Sequence, residues 1–131
     1  MEYKSTGKLF VGNDGSVKLL CDKGLLDYYK RMIEKRFWIT TQFPKHGPHI
    51  SIILPRFNRN IDLRRFNKYR GKVMEFQYDP YVHIGGHGKG YRTFWLKVNC
   101  PAIDKIKKEF NINDGRGYLG LHLTICNTKN Q

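Results

Sequence analysis

Two stretches of this chain space their apolar residues at three- and four-residue steps, and a short strand-like run containing a histidine follows each of them. Leu25, Leu26, Tyr29, Met32, Ile33 and Phe37 form the first stretch, and Ile103, Ile106 and Phe110 form the second. That spacing gathers apolar groups on one side of a helix. It predicts one helix over residues 22–37, with Asp22 as N-cap, and a second from Pro101 onward, proline being suited to the first helical turn. The runs that follow, residues 49–54 and 119–126, alternate polar with aliphatic side chains and read as strands, the first closed by Pro55. Residues 7–12 and 16–21 flank Asn13-Asp14-Gly15, the turn chemistry of a hairpin. Residues 72–78 and 91–98 read as two further strands, joined through a glycine-rich segment over residues 83–90. A short helix is expected near residues 62–69 and a turn at Asn113-Asp114-Gly115. The order strand, strand, helix, strand, given twice, implies an α+β fold with hairpins in two similar halves.

Residues 1–131 are expected to form a single domain, because a chain this long buries roughly two-thirds of its unfolded surface without disulfide or metal staples. Apolar residues make up 40% of it, too many for a disordered basic tail. Lys and Arg number 24 against 11 Asp and Glu, a formal net charge of +13. Such a surface favours a polyanionic partner, nucleic acid or nucleotide first, through Coulomb attraction and counterion release. No apolar run approaches the roughly 20 residues of a membrane span, so no membrane insertion is expected. The opening residues lack signal-peptide features, and a cytoplasmic location is expected. Cys21, Cys100 and Cys126 sit apart among aliphatic residues, which suits reduced, buried thiols, and no zinc-finger spacing occurs. His83 and His87, with His46, invite a metal-site reading. Glycines surround the first two and no acidic residue adjoins them, so no metal ligand set is expected.

The chemistry lies in a repeated tetrad. His49-Ile50-Ser51-Ile52 and His122-Leu123-Thr124-Ile125 share one pattern. On a strand the side chains alternate faces, so each run offers an imidazole and a hydroxyl on one side and aliphatic groups on the other. If the two strands lie near each other, two imidazoles can flank one phosphodiester, one as general base and one as general acid, since histidine titrates near neutral pH. The hydroxyls of Ser51 and Thr124 can donate to non-bridging phosphate oxygens as charge builds on them. On a ribose substrate the base takes the 2′-OH proton, that oxygen attacks phosphorus, and the acid protonates the departing 5′-oxygen.

These tetrads resemble the paired His-x-Ser/Thr-x motifs of the two-histidine (2H) phosphoesterases, with Ser51 standing where threonine is commoner. The resemblance implies a bilobed α+β fold, with two mixed or antiparallel sheets lining a central cleft and helices outside. It also implies cofactor-free and metal-free chemistry on RNA ends, 2′,3′-cyclic phosphates or cyclic nucleotides, with His49, Ser51, His122 and Thr124 as the catalytic set. Within the family, the compact chain, the early strands and Cys21-Asp22-Lys23 ahead of Asp27-Tyr28-Tyr29-Lys30 are most similar to the small phage enzymes that degrade the cyclic oligonucleotide messengers of bacterial CBASS defence. That likeness implies a substrate such as cyclic GMP-AMP or a cyclic trinucleotide, with immune evasion in the host cytoplasm as the role.

Other residues are candidates for holding the rest of the substrate. Tyr91 and Trp95 share a strand face with Thr93 and could form a base platform. Lys89 and Arg92, beside glycines, could hold phosphates. Arg116 and Tyr118 could rim the pocket, and Gly120 leaves room on the face of His122. Two alternatives stand beside the cyclic-oligonucleotide reading. One is RNA end processing, by opening of 2′,3′-cyclic phosphates or as a 2′–5′ ligase-like enzyme. The other is a non-catalytic RNA-binding module. No obligate protein partner is expected in any of these.

Overall fold

Alternation of buried and exposed side chains sets the strands. In the computed structural model, which describes residues 2–13, 15–53, 63–86, 90–110 and 120–129, β1 (Tyr3–Val11) buries Gly7, Leu9 and Val11 and turns the residues between them outward. β2 (Val17–Cys21) buries Val17 and Leu19, and β3 (His49–Ile53) buries Ile50, Ile52 and Ile53. β4 (Val73–Gly85), β5 (Thr93–Asn99) and β6 (His122–Asn127) complete the set. Between β2 and β3 lies α1 (Lys23–Phe37), and between β5 and β6 lies α2 (Pro101–Glu109), with proline at its first turn as the sequence predicts. The short helix expected near residues 62–69 is a 3₁₀ helix, Leu63–Tyr69.

The strands form one closed six-stranded barrel in the order β1-β2-β3-β6-β5-β4, every neighbouring pair antiparallel. The two lobes with separate sheets implied by the family resemblance are therefore not what the chain builds. The reason lies in β1. Its first half pairs with β4, from Tyr3↔Tyr78 to Lys8↔Val73, and its second half with β2, from Gly7↔Cys21 to Val11↔Val17. One strand thus bridges both halves at one seam, and β3 and β6 join them at the other through Ile50↔Leu123. Gly7 pairs on both sides of that handover, and a Cβ there would lie 2.9 Å from the Cβ of Leu19, which explains the glycine.

Two element boundaries depart from the sequence reading for physical reasons. β1 begins at Tyr3 rather than residue 7, because its opening residues are polar and gain order by pairing with β4 instead of by burial. β4 continues past Asp79-Pro80, where the sequence suggested an end, by shifting register between Tyr78 and Val82. The Asp79 carboxylate accepts the Tyr81 N–H at 3.0 Å in that irregularity.

Leu26, Tyr29 and Ile33 of α1 and Ile103 and Ile106 of α2 join the barrel residues and Phe66 in one core, which leaves the alternate strand face outward. Asp22 caps α1 as predicted, accepting the Gly24 N–H at 3.1 Å. At the other end the Glu34 carboxylate accepts the Thr41 N–H at 2.7 Å and the Thr41 hydroxyl at 3.2 Å, with Lys30 Nζ at 3.3 Å. These bonds, the Thr41 N–H first, hold the Glu34 carboxyl below its usual 4.5. The unfolded chain binds the proton more readily, so the stabilisation is present above pH 4.5 and is lost as pH falls through the lower folded value. Because Thr41 is 5% exposed, Glu34→Ala strands a buried N–H and is expected to cost about 1–3 kcal/mol, read as a lower urea midpoint at neutral pH.

No helix among the described residues is long and apolar enough to cross a membrane. Cys100 and Cys126 are buried free thiols and Cys21 is half-buried. Desolvation pushes the Cys21 thiol up to about 12.

Candidate active site

Strand parity decides what faces outward between the two halves. On β3, buried Ile50 and Ile52 leave His49 and Ser51 partly exposed, and on β6, buried Leu123 and Ile125 leave His122 and Thr124 so. The antiparallel pairing Ile50↔Leu123 then fixes the relation between the strands. Continued one residue either way from this single bridge, the antiparallel register would set His49 toward Thr124 and Ser51 toward His122, so that each imidazole neighbours the other motif's hydroxyl. Residues opposed across such a pair point to the same face, and in a regular pair diagonal neighbours lie about 7–8 Å apart. All four predicted catalytic side chains therefore share the partly exposed face of the sheet, opposite the face that packs into the core with α1 and α2.

Two rows run through that patch. Leu20 of β2 opposes His49, and Thr124 opposes Trp95 of β5, which in turn opposes His83 of β4. In the second row Lys18 of β2 opposes Ser51, and His122 opposes Lys97 of β5. Cations thus flank the Ser51–His122 pair, and Lys18 also opposes Phe10 of β1, its Nζ 5.4 Å from that ring's centroid. The sequence reading names neither Lys18 nor Lys97 for this patch, and takes up His83 only for a metal-ligand set. Strand parity alone puts Lys97 on the face of Trp95, but which strands neighbour one another is long-range information that a single sequence does not carry.

His49 has a defined tautomer. Its Nδ1–H donates to the Gly47 carbonyl at 2.8 Å, which leaves Nε2 with a free electron pair. Burial lowers its pKa below the usual 6.5. The Gly47 bond opposes this, and the charges of Lys18 and His46 add to the lowering. A neutral, oriented imidazole at neutral pH is what a general base requires. An NMR pH titration is expected to place His49 below 6.5, and Lys18→Gln is expected to raise that value by removing a repelling cation. In the window between the folded value and 6.5 the unfolded chain binds more protons, so relative to pH above 6.5 stability falls as pH drops through that window to the folded value, where the buried ring must charge.

Beside His122 an aromatic ladder crosses three strands. The His83 ring stacks on Trp95 with centroids 4.4 Å apart and 16° between planes, Tyr81 meets His83 edge-on at 4.9 Å, and Trp95 meets His122 at 5.7 Å and 64°. A cleft of about 390 Å³ lies against it, lined by Ile84, Gly85, Gly86, Thr93, Trp95, His122 and Thr124. Glycine is required at Gly86, where φ is 85° and a Cβ would lie 2.5 Å from the Tyr91 carbonyl oxygen. The cleft takes in the second motif, while His49 and Ser51 stand on the adjoining strand outside its lining. Two other clefts run along α1 beside Tyr28 and Met32, and neither is lined by a histidine.

The expected platform of Tyr91 and Trp95 is built differently. β5 begins at Thr93, so Tyr91 falls in the preceding bend. Its ring lies 5.7 Å from Lys129 Nζ, and the partner stacked on Trp95 is His83. Arg92 is exposed, its N–H bonded to the Thr128 hydroxyl at 2.8 Å, and it is not part of the cleft lining. Gly120 precedes β6 with φ of 58°, so backbone conformation accounts for it rather than space beside His122. Lys89, Arg116, Tyr118 and His87 lie outside the described residues, as do Pro55 and the turn at residues 113–115. Among the described residues no three His, Cys, Asp or Glu side chains are grouped to hold a metal ion.

No protein-family model matches the chain, and no curated protein or solved structure matches it at a significant level.

Proposed function

We propose that this chain is a metal-independent phosphodiesterase acting on cyclic oligonucleotide messengers by paired-histidine acid–base catalysis. The observation that carries the reading is the Ile50↔Leu123 register, which sets two imidazoles and two hydroxyls on one face. The support is this local geometry and not a bilobed architecture.

His49 Nε2 removes the proton from a ribose 2′-OH, and the resulting oxygen attacks the adjacent phosphorus. His122, in its protonated form, gives a proton to the departing 5′-oxygen. The P–O5′ bond breaks as the P–O2′ bond forms, so the ring opens to a linear chain ending in a 2′,3′-cyclic phosphate. Ser51 and Thr124 donate to the non-bridging oxygens, and Lys18 and Lys97, on either side of the Ser51–His122 pair, add positive charge where negative charge accumulates. The Trp95–His83 stack beside His122 suits a nucleobase flanking the scissile phosphate, where each stacked base contributes about 1–3 kcal/mol.

The test is incubation in EDTA with cyclic di- and trinucleotides, 2′,3′-cyclic mononucleotides and 2′–5′ oligomers, with products identified by mass. Linear products from the cyclic oligonucleotides are expected. Turnover confined to 2′,3′-cyclic ends would reassign the site to RNA end processing, and turnover that vanishes with chelator and returns with zinc would overturn the metal-free mechanism.

A further inference from the structure

We infer that the outward side of α1 is a second contact surface, separate from the histidine patch, that binds single-stranded nucleic acid through Tyr28, Arg31, Lys35 and Trp38. Tyr28, Arg31 and Lys35 are spaced three and four positions apart, which aligns them along one side of α1, and Trp38 follows at the C-cap. All four are exposed, Tyr28 at 65% and Trp38 at 92%. An aromatic ring therefore stands at each end with two cations between them. Asp27 is the acid that borders the groove beside this stripe.

Trp38 is the residue that the fold itself does not explain. It occupies the C-cap of α1 with φ of 56° and ψ of 45°, and it is the one non-glycine residue with positive φ among those described. The left-handed region penalises every side chain with a Cβ, and glycine is the usual occupant of this position. An indole exposed at 92% gains almost no burial to offset that penalty. Its use lies in what it touches outside the chain.

Charge and shape favour single-stranded nucleic acid as that partner. Exposed rings accept bases in sequence-tolerant stacking, and Arg31 and Lys35 between them meet the phosphates that link those bases. A membrane surface fits less well. The apolar side of α1, with Leu26, Tyr29 and Ile33, is buried in the core, so the helix has no continuous apolar face to lay into lipid.

The test is fluorescence polarisation with a labelled oligodeoxythymidine of roughly twelve nucleotides, within the site sizes that such surfaces cover. This probe has no 2′-OH, so the measurement is independent of the proposed phosphodiesterase chemistry, and failure here leaves that reading standing. Trp38→Gly is expected to weaken binding at least about fivefold, the loss of one stacked base. Its melting temperature is expected to equal or exceed that of the wild type, because glycine relieves the left-handed backbone. Trp38→Phe should retain most of the affinity. Arg31→Gln with Lys35→Gln should reduce the slope of log affinity against log salt by about 1.4, roughly 0.7 for each lost phosphate contact. Lys105→Gln with Lys108→Gln, which removes the same charge from α2, should change binding less. The inference is overturned if Trp38→Gly binds as the wild type does or melts lower, or if both charge-removing pairs act equally. It is also overturned if Trp38 supports phosphatidylserine-vesicle binding or self-association while oligonucleotide binding stays unchanged.

Discussion

His49→Ala and His122→Ala are each expected to lower kcat/KM on a susceptible cyclic oligonucleotide by about 10²–10⁴-fold, the usual contribution of a positioned acid or base. Neither change touches the core, because both rings lie on the outward parity of their strands while Ile50 and Leu123 carry the packing. Melting temperature and far-ultraviolet circular dichroism should therefore stay near wild-type values, and substrate affinity should fall little. Because both imidazoles serve one displacement at one phosphorus, the double variant should be only slightly slower than the worse single one. Fully multiplicative losses would mean that the two histidines serve separate events. His49→Ala should also remove the acid limb of the pH–rate profile, which the lowered pKa of His49 places below 6.5.

A substrate with 2′-deoxyribose beside the scissile phosphate is expected to resist cleavage entirely. The mechanism draws its nucleophile from the substrate, and an oriented intramolecular group acts at an effective concentration of about 10⁵–10⁸ M. Its loss cannot be made good by water unless the site also positions a water molecule. The comparison uses matched cyclic dinucleotides that differ at that one position, followed by mass spectrometry with wild-type enzyme. Ready hydrolysis of the deoxy compound would exclude the internal-nucleophile route while leaving the two histidines as a possible water-activating pair.

What the sequence discloses and what it hides follow from the range of the interactions involved. Helix α1 was readable because Leu26, Tyr29 and Ile33 repeat at helical spacing and Asp22 caps them, all local facts. The shared face of His49 and Ser51, and of His122 and Thr124, was readable from strand parity. Closure of the barrel was not, because it depends on one half of β1 preferring β4, a pairing between residues some seventy positions apart that Tyr3 and Lys4 do not announce. For the same reason the places of Lys18, Lys97 and His83 in this patch were not legible, although His83 stood out as a metal-ligand candidate. Each is an ordinary outward residue until register brings it beside Ser51, His122 and Trp95. Tyr91 was assigned to the platform on parity within a strand that starts two residues later. Asp79-Pro80 looked like a strand end because a bulge that absorbs proline is invisible without the partner strand.

The most direct measurement follows the imidazole nitrogens of His49 and His122 by ¹⁵N NMR during titration with a deoxy-dinucleotide phosphodiester, which binds but supplies no 2′-oxygen. Two rings that share one phosphate should shift together along a single saturation curve with one common Kd. Movement of one ring alone, or two curves with different Kd values, would contradict a joint site and with it the acid–base pair.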